Sequence, residues 1–268
     1  MHRSGTSIIT KFLECFDINI GSDFFLPRID NKQGFFEDIS FYRINRKILE
    51  KNELEWNTII DPTKLKLNLS ELNQRDVYHC NIIKNINNNL SFAFKDPRIQ
   101  LTLSYWKKFL NNKTKIEYIY CFRHPRKIFN SIKKRDKMNA KDINNLILQN
   151  WYLMTKNITD LKKTIFIDYD KLIIMDKGQL EYLSKKFNTK INKKKFLFFK
   201  KNLIKLKNRN KYNYTSYHKM ILLENFYKFY TKPTSQKKNR ILAQTNEYYK
   251  KIKLHKEPKK TIFGLSFL

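Results

Sequence analysis

Four short polar segments carry residue types that can bind an anion and work on a bound substrate. They are 3–7 (Arg-Ser-Gly-Thr-Ser), 34–38 (Gly-Phe-Phe-Glu-Asp), 95–98 (Lys-Asp-Pro-Arg) and 123–126 (Arg-His-Pro-Arg). In open α/β sheets, ligands bind beyond the carboxyl ends of the strands, where segments of this kind are placed. We therefore expect the four segments to converge on a cationic pocket that contains one acidic group.

The opening loop is a candidate phosphate-binding site because it leads directly into a predicted helix. Backbone N–H groups at a helix N-terminus attract anions, and Gly5 lets the backbone approach one closely. Arg3 adds positive charge, while Thr6 and Ser7 add hydroxyl donors, and either hydroxyl is suited to cap the helix. The loop is not a Walker A motif, since no lysine precedes Thr6.

The pattern of apolar residues alternates between strand-like and helix-like segments. Predicted strands cover 91–94, 115–122 and 164–168, and predicted helices cover 39–51, 101–110, 125–135, 141–161, 178–187 and 239–252. We interpret 191–217 as a surface helix with a loop. This order predicts an α/β fold with a central parallel sheet and flanking helices. It also predicts one α/β domain over 1–190 and a basic, mainly helical extension over 191–268, packed on the same domain.

Charge is distributed unevenly along the chain. Lys and Arg number 55 and Asp and Glu number 24, and from residue 185 onward the counts are 24 and 3. Such an excess favours anionic partners: nucleotide, nucleic acid, acidic glycan or anionic lipid. Only 11 of the 55 are Arg, the better residue for reading nucleic acid, so a nucleic-acid partner is disfavoured. The abundance of Lys, Asn and Ile is also typical of AT-rich coding sequence, which would make much of this charge a solvated surface.

Several classes of protein are excluded by composition. No stretch approaches the ~18–20 apolar residues of a membrane-spanning helix, and the first twenty residues do not form a signal peptide. Cys15, Cys80 and Cys121 make neither a disulfide framework nor a zinc site. We expect a soluble, cytoplasmic protein without a membrane span.

The polar segments, taken in order, resemble a known family. Met-His-Arg-Ser-Gly-Thr-Ser before an apolar helix resembles the 5′-phosphosulfate loop of sulfotransferases that use 3′-phosphoadenosine 5′-phosphosulfate (PAPS). Segment 34–38 resembles their acidic segment, and Lys-Asp-Pro at 95–97 resembles a motif of the tyrosylprotein branch. Segment 119–126, followed by Ser131 and by Arg-Asp at 135–136, resembles the 3′-phosphate motif. Trp151 and segment 166–172 also fit, so the resemblance covers roughly residues 1–190.

The resemblance implies a P-loop-like nucleotide-binding topology and PAPS as co-substrate, with PAP as product. It places the 5′ end of the nucleotide on the loop residues Arg3, Ser4, Gly5, Thr6 and Ser7. It places the 3′-phosphate on Arg123 and Ser131. In the family a β-strand precedes the loop, whereas this sequence begins at the loop. We therefore expect the first strand to be missing, through a misassigned start codon or through truncation.

Sulfuryl transfer requires removal of the acceptor proton, stabilisation of the leaving phosphate and in-line geometry. The sulfuryl group carries less charge than a phosphoryl group, so fixed cations suffice and no metal is expected. Lys95 is the predicted cation, although an ion pair with Asp96 is the alternative role. Glu37 is the predicted base because it follows the aromatic pair at 35–36, an apolar setting that suits a proton-accepting carboxylate. Asp23 is a second candidate, and the choice of base stays open.

The sequence thus predicts a sulfotransferase that moves a sulfuryl group from PAPS to a hydroxyl or amine, with a carbohydrate as the favoured acceptor. Lipid and protein tyrosine stay open as acceptors. One alternative is a P-loop kinase-like phosphotransferase, which the missing Walker lysine disfavours. Another is a non-enzymatic protein that binds nucleic acid or another polyanion through its basic tail, and a third is an inactive sulfotransferase-like chain. Trp151 is predicted to belong to the core rather than to the pocket.

Overall fold

Two parallel strands, with helices between and around them, organise the described structure. The computed structural model describes residues 2–27, 34–68, 91–109, 115–204 and 218–251. In chain order, the elements are α1 (Thr6–Leu13), α2 (Ile39–Lys51), α3 (Ile99–Trp106), β1 (Tyr118–Phe122), α4 (Pro125–Asp136), α5 (Ala140–Lys156), β2 (Thr164–Asp168), α6 (Tyr169–Ile173), α7 (Lys177–Phe187), α8 (Lys193–Ile204), α9 (His218–Thr231) and α10 (Ser235–Lys251). Short 3-10 turns, Glu14–Phe16 and Lys107–Phe109, follow α1 and α3.

β1 and β2 pair in parallel over five residues, from Tyr118 opposite Thr164 to Phe122 opposite Asp168. The crossover between them consists of α4 and α5, as expected for parallel strands, which need a long connection. Every residue of β2 is buried, and burial in β1 increases toward its carboxyl end. The prediction of parallel strands in an α/β chain is confirmed, but the protein is mostly helical, and the sheet has two strands within the described residues.

The predicted strand over 91–94 is wrong. Phe92 forms one isolated parallel bridge with Asn19, held by a 2.7 Å bond from Ala93 N–H to the Asn19 carbonyl. Among the described residues, the pairing of these two segments is limited to this single bridge. A Cβ atom at Gly21, whose φ is 87°, would lie 3.3 Å from the Phe92 ring, so the two segments stay in contact without forming a ladder.

Helix ends also differ from the sequence pattern. α5 ends at Lys156 rather than at 161, and the Asn157 side chain leaves the helix to donate a 2.8 Å bond to the Gln100 carbonyl. The last helix begins at Ser235, four residues earlier than predicted. Within 191–217, α8 fits the predicted surface helix, whereas 205–217 lie outside the described residues.

Three groups of buried apolar side chains hold these elements together. One lies between the sheet, α4, α5 and the C-terminal helices, and Trp151 and Tyr230 are at its centre. The second packs α1 against β2, α7 and α8, and the third joins α2 to α3. Trp151 is fully buried, which confirms its predicted core role. No helix in the described ranges has both the length and the hydrophobicity to cross a bilayer.

Candidate functional site

The opening loop lies against α4 and α6. Arg3, which has a positive φ of 63°, donates a 2.8 Å hydrogen bond from Nε to Ser131 Oγ in α4. Gly5 lies against the ring of Tyr169, the first residue of α6. A Cβ atom at Gly5 would be only 1.9 Å from Tyr169 Cδ2. Glycine is required at this position because of both the close approach and the left-handed φ of 88°.

Gly5 also forms the N-cap of α1, so the prediction that Thr6 or Ser7 caps this helix is wrong. No side chain accepts a hydrogen bond at the N-cap position. The helix starts at Thr6 because Gly5, with its left-handed φ, takes the N-cap position, which places both hydroxyl residues in the first helical turn. The Ser7 hydroxyl instead lies 3.4 Å from Lys95 Nζ, and the Ser4 side chain is buried. The first-turn amides of α1 are therefore left without a side-chain acceptor at the cap, as in anion-binding helix ends.

Arg123, which follows β1, reaches the same tyrosine. Its guanidinium carbon lies 4.5 Å from the centroid of the Tyr169 ring, a cation–π distance. Burial raises the pKa of Tyr169, and the positive charges of Arg123 and Arg3 oppose that shift. The backbone of Gly5 and the guanidinium of Arg123 therefore contact one ring. Sequence reasoning noted 166–172 only as a segment, although Tyr169 directly follows the carboxyl end of β2.

The carboxylate of Asp170 lies next to the cationic side chains of Arg123 and Lys127. Asp170 Oδ1 lies 3.5 Å from Arg123 Nε and 3.0 Å from Lys127 Nζ. The 3.5 Å contact does not have hydrogen-bond geometry, and Arg123 Nε is a buried donor with no acceptor among the described residues. A phosphate oxygen would supply the missing acceptor. The sequence analysis did not identify Asp170 as a member of the site.

Glu37 and Lys95 form the second half of the site. Lys95 Nζ donates to Glu37 Oε1 at 2.6 Å and to the Phe35 carbonyl at 2.9 Å. Arg98 holds the other oxygen, Glu37 Oε2, at 2.7 Å. These side chains are less than a tenth exposed, so the carboxylate and both cations are removed from water together. Such a buried group must be fully paired, because removal of one partner leaves an uncompensated charge.

The alternative pairing of Lys95 with Asp96 is wrong, because Asp96 binds Arg98. Asp96 Oδ1 accepts from both the backbone N–H and Nε of Arg98 at 2.7 Å, which closes the turn at Pro97. Its Oδ2 accepts a 2.8 Å bond from Asn45 Nδ2 in α2. Asn45 Oδ1 in turn accepts from Thr102 and Trp106 of α3, at 2.6 Å and 2.8 Å. A chain of buried hydrogen bonds thus connects α2 and α3 to Arg98, and through Arg98 to Glu37.

Two other acidic residues, Asp38 and Asp23, lie outside the group that Glu37 forms with Lys95 and Arg98 among the described contacts. Asp38 caps α2 by accepting a 2.9 Å bond from the Phe41 N–H, and burial raises its pKa, with the charge of Asp23 adding to the shift. Asp23 is exposed, and its backbone carbonyl accepts from the Ile39 N–H at 3.0 Å. Among the described contacts, Asp23 is not part of the hydrogen-bonded group of Glu37 and Lys95. Glu37 therefore lies closer than Asp23 to the predicted catalytic cation.

His2 borders this cationic region. Its ring centroid lies 4.5 Å from that of Trp56, and the Arg135 guanidinium lies 5.1 Å from the same indole. Burial lowers the pKa of His2 well below its usual value, and the charges of Arg98 and Arg135 act in the same direction. His2 is therefore neutral at physiological pH. Its Nε2 is buried without a hydrogen-bond partner among the described residues.

All four predicted segments thus meet around the start of α1. Within the part of the chain that the structure describes, no group of three or more His, Cys, Asp or Glu side chains is placed to hold a metal ion. Comparison of the chain with protein-family models, with curated proteins and with solved structures found no match. The chemistry of the site must therefore be argued from its own geometry.

Gly5→Ala tests the close approach of the loop to Tyr169. We expect it to lower the free energy of unfolding by about 2 kcal/mol or more, since the new Cβ is both strained and overlapping. Chemical denaturation measures this change. In the double variant Gly5→Ala/Tyr169→Ala the steric overlap is removed but the backbone strain stays, so only part of the loss due to Gly5→Ala should be recovered.

Gly178→Ala is the matched control. At this position in α7, φ is not positive and the nearest atom to a new Cβ is Asp176 Oδ1 at 3.5 Å. Its free energy of unfolding should stay within about 0.5 kcal/mol of the original chain. Equal effects of the two substitutions would contradict the assigned packing of Gly5.

Proposed function

We propose that this chain is a PAPS-dependent sulfotransferase that transfers a sulfuryl group to a hydroxyl, with a carbohydrate as the acceptor class. The observation that carries the proposal is the meeting of two separate anion-binding elements. The opening loop and the α4 region are joined by the Arg3–Ser131 bond, and Gly5 and Arg123 share the Tyr169 ring. Because the two elements lie side by side, a single nucleotide with an anion at each end is the ligand that best matches them.

We assign the 5′ end of PAPS to the start of α1. The first-turn amides of this helix, the hydroxyls of Thr6 and Ser7 and the charge of Arg3 surround that position. Ser4 would contribute through its backbone, since its side chain is buried. Binding an anion here places negative charge against the positive end of the helix dipole.

We assign the 3′-phosphate to Arg123 and Ser131. Arg123 Nε is the buried donor without an acceptor, and the N-terminus of α4 has no side-chain cap. Ser131 accepts from Arg3 through Oγ, so its own hydroxyl proton is free to be donated to a phosphate oxygen. A doubly charged phosphate would replace the weaker contact that Asp170 now makes with Arg123.

For catalysis, Glu37 accepts the proton of the acceptor hydroxyl while Lys95 stabilises negative charge at the transferring group. The acceptor oxygen forms a bond to sulfur, the bond from sulfur to the 5′-phosphate oxygen breaks, and its electron pair leaves with PAP. Lys95 is suited to this role because its ammonium lies 3.4 Å from Ser7 Oγ in the loop and 2.6 Å from Glu37. When Lys95 turns to the sulfuryl oxygens, Glu37 Oε1 becomes available to the acceptor, while Arg98 keeps Oε2 in place.

We also propose that the fold is P-loop-like. β1 and β2 are parallel, and the residues after both strands, Arg123 and Tyr169, meet the anion-binding start of α1 at one edge. In this proposal 1–190 form the sulfotransferase-like unit. Segment 191–268 is its helical extension, and α9 and α10 pack into the same apolar core as β1 and α5.

Arg123→Ala tests the proposed nucleotide site. PAP should raise the melting temperature of the original chain, because a ligand that binds only the folded state stabilises it. The variant should bind PAP about thirtyfold more weakly, which corresponds to loss of a charged hydrogen-bond partner worth roughly 2 kcal/mol. Isothermal titration calorimetry measures both affinities.

AMP, which lacks the 3′-phosphate, is the control ligand. The control variant is Arg240→Ala, which removes an exposed arginine of α10. Arg123→Ala should leave the weaker AMP affinity unchanged, and Arg240→Ala should leave the PAP affinity unchanged. If PAP causes no shift in the melting temperature at millimolar concentration, the proposed function is wrong.

Asp170→Asn should have the opposite effect to Arg123→Ala. It removes the carboxylate that lies 3.5 Å from Arg123 and 3.0 Å from Lys127, so an incoming phosphate no longer competes with a fixed anion. We expect about tenfold tighter PAP binding, the size of one close charge contact. Glu181→Gln, which removes an exposed carboxylate of α7, should have no effect. Weaker binding in Asp170→Asn would show that the carboxylate supports the site instead.

Glu37→Gln tests the assignment of the base. Turnover of PAPS with a carbohydrate acceptor found by screening should fall about 100-fold or more, as expected for loss of a general base. PAP affinity should not fall, because Lys95 and the loop are retained. Thermal melting checks that the variant folds, since the substitution leaves the buried charges of Lys95 and Arg98 without their carboxylate. Asp23→Asn is the comparison variant. If Asp23→Asn loses turnover while Glu37→Gln keeps it, Asp23 rather than Glu37 is the base.

A further inference from the structure

The outer face of α8 combines exposed apolar side chains with lysines. Leu197 and Phe198 are 59% and 64% exposed. Lys193 and Lys194 are also exposed, and they precede these two residues by three to five positions. Side chains three and four positions apart lie on the same side of a helix. We call Lys193, Lys194, Leu197 and Phe198 the outer face of α8.

The opposite side of α8 fastens the helix to the protein. The Phe199 ring lies 5.0 Å from that of Phe12 in α1, and the Phe196 ring lies 6.4 Å from it. The backbone N–H of Asn192 donates a 2.7 Å bond to the Cys15 carbonyl. The inner side chains therefore attach the helix to the protein, while Leu197 and Phe198 stay more than half exposed.

The surroundings of this helix in the sequence are positively charged throughout. Between Tyr182 and Leu223 there are thirteen Lys and Arg residues and no Asp or Glu. Asp17, an acidic neighbour from the start of the chain, pairs with Lys195 at 2.7 Å. Lys193 and Lys194 make no ion pair with the described residues, so their charge is available to a partner.

The outer face of α8 combines positive charge with apolar surface, and this combination favours one of the possible anionic partners over the others. Acidic glycans complement lysines but offer no apolar surface. The bases of single-stranded nucleic acid stack on an aromatic ring such as that of Phe198, but they offer no comparable partner for Leu197. The surface of an anionic bilayer offers both: lipid phosphates for lysines, and the boundary between headgroups and acyl chains for Leu and Phe. We propose that the outer face of α8 binds the surface of an anionic lipid bilayer, with Leu197 and Phe198 entering that boundary. This inference does not rest on the proposed function.

Vesicle sedimentation with the full chain tests the proposal. The chain should sediment with vesicles of phosphatidylcholine and phosphatidylglycerol, but not with vesicles of phosphatidylcholine alone. Leu197→Ser/Phe198→Ser should bind about tenfold more weakly, since it removes the apolar contact. Lys193→Gln/Lys194→Gln should also lose about tenfold, since each lysine contributes to attraction by anionic lipid.

Matched controls separate this face from the general charge of the chain. Leu26→Ser removes another exposed leucine, 83% exposed, and Lys237→Gln/Arg240→Gln removes two exposed charges of α10. Both should sediment like the original chain, and thermal melting followed by circular dichroism verifies that every variant folds. If Leu197→Ser/Phe198→Ser sediments unchanged, or if the chain binds single-stranded RNA or heparin but no vesicle, the proposal is wrong.

Insertion is measured separately with Phe198→Trp and brominated lipids, which quench tryptophan at the level of the acyl chains. The original chain has three tryptophans, of which Trp106 and Trp151 are buried and Trp56 is half-buried. Quenching greater than that of the original chain would support entry of position 198 into the bilayer. Quenching no greater than that of the original chain would overturn it.

Discussion

The close contact between Gly5 and Tyr169 determines where everything else in the candidate site lies. It brings the start of α1 against the carboxyl end of β2, and the same ring carries the guanidinium that follows β1. Without a Cβ at position 5, backbone and ring approach to a distance that no other residue type permits. The arrangement joins three segments that are far apart in the sequence, and the bond from Arg3 to Ser131 fixes the same loop from its other side.

The charged side chains of the candidate site are arranged in groups that contain both signs. Glu37 is held by Lys95 and Arg98, and Asp170 lies between Arg123 and Lys127. In a chain with a formal net charge of +31, these two carboxylates keep the cations in place without a ligand. The two groups differ in burial, since Asp170 and Arg123 are each 23% exposed and the Glu37 group is less than a tenth exposed. An anion from solution therefore has easier access to the Arg123 side.

The sequence predicted those parts that depend on local pattern. The apolar run before Arg123 and the run over 164–168 indicated parallel strands, and residues 39–51 indicated a helix with the bounds observed. It also predicted that the four polar segments meet. Local pattern failed where contacts with other parts of the chain determine the structure. At 91–94 the pairing with Asn19 is limited to one bridge, and Gly5 rather than Thr6 or Ser7 caps α1. The alternative role of Lys95, an ion pair with Asp96, was wrong for the same reason, because its partner Glu37 lies 58 residues away in the sequence. Trp56 carried no recognisable signal, and His2 and Asp170 were noted only as members of longer segments, because their individual roles arise from contacts across the fold.

The side-chain amide of Asn45 is restricted to one orientation. Its oxygen faces two donors from α3, and its nitrogen faces the Asp96 carboxylate. Turning the amide over would set oxygen against oxygen and N–H against N–H. An aspartate would set two carboxylates against each other, and a leucine would leave the donors of Thr102 and Trp106 unsatisfied. During divergence of this chain, position 45 therefore has almost no freedom to vary unless its neighbours change with it.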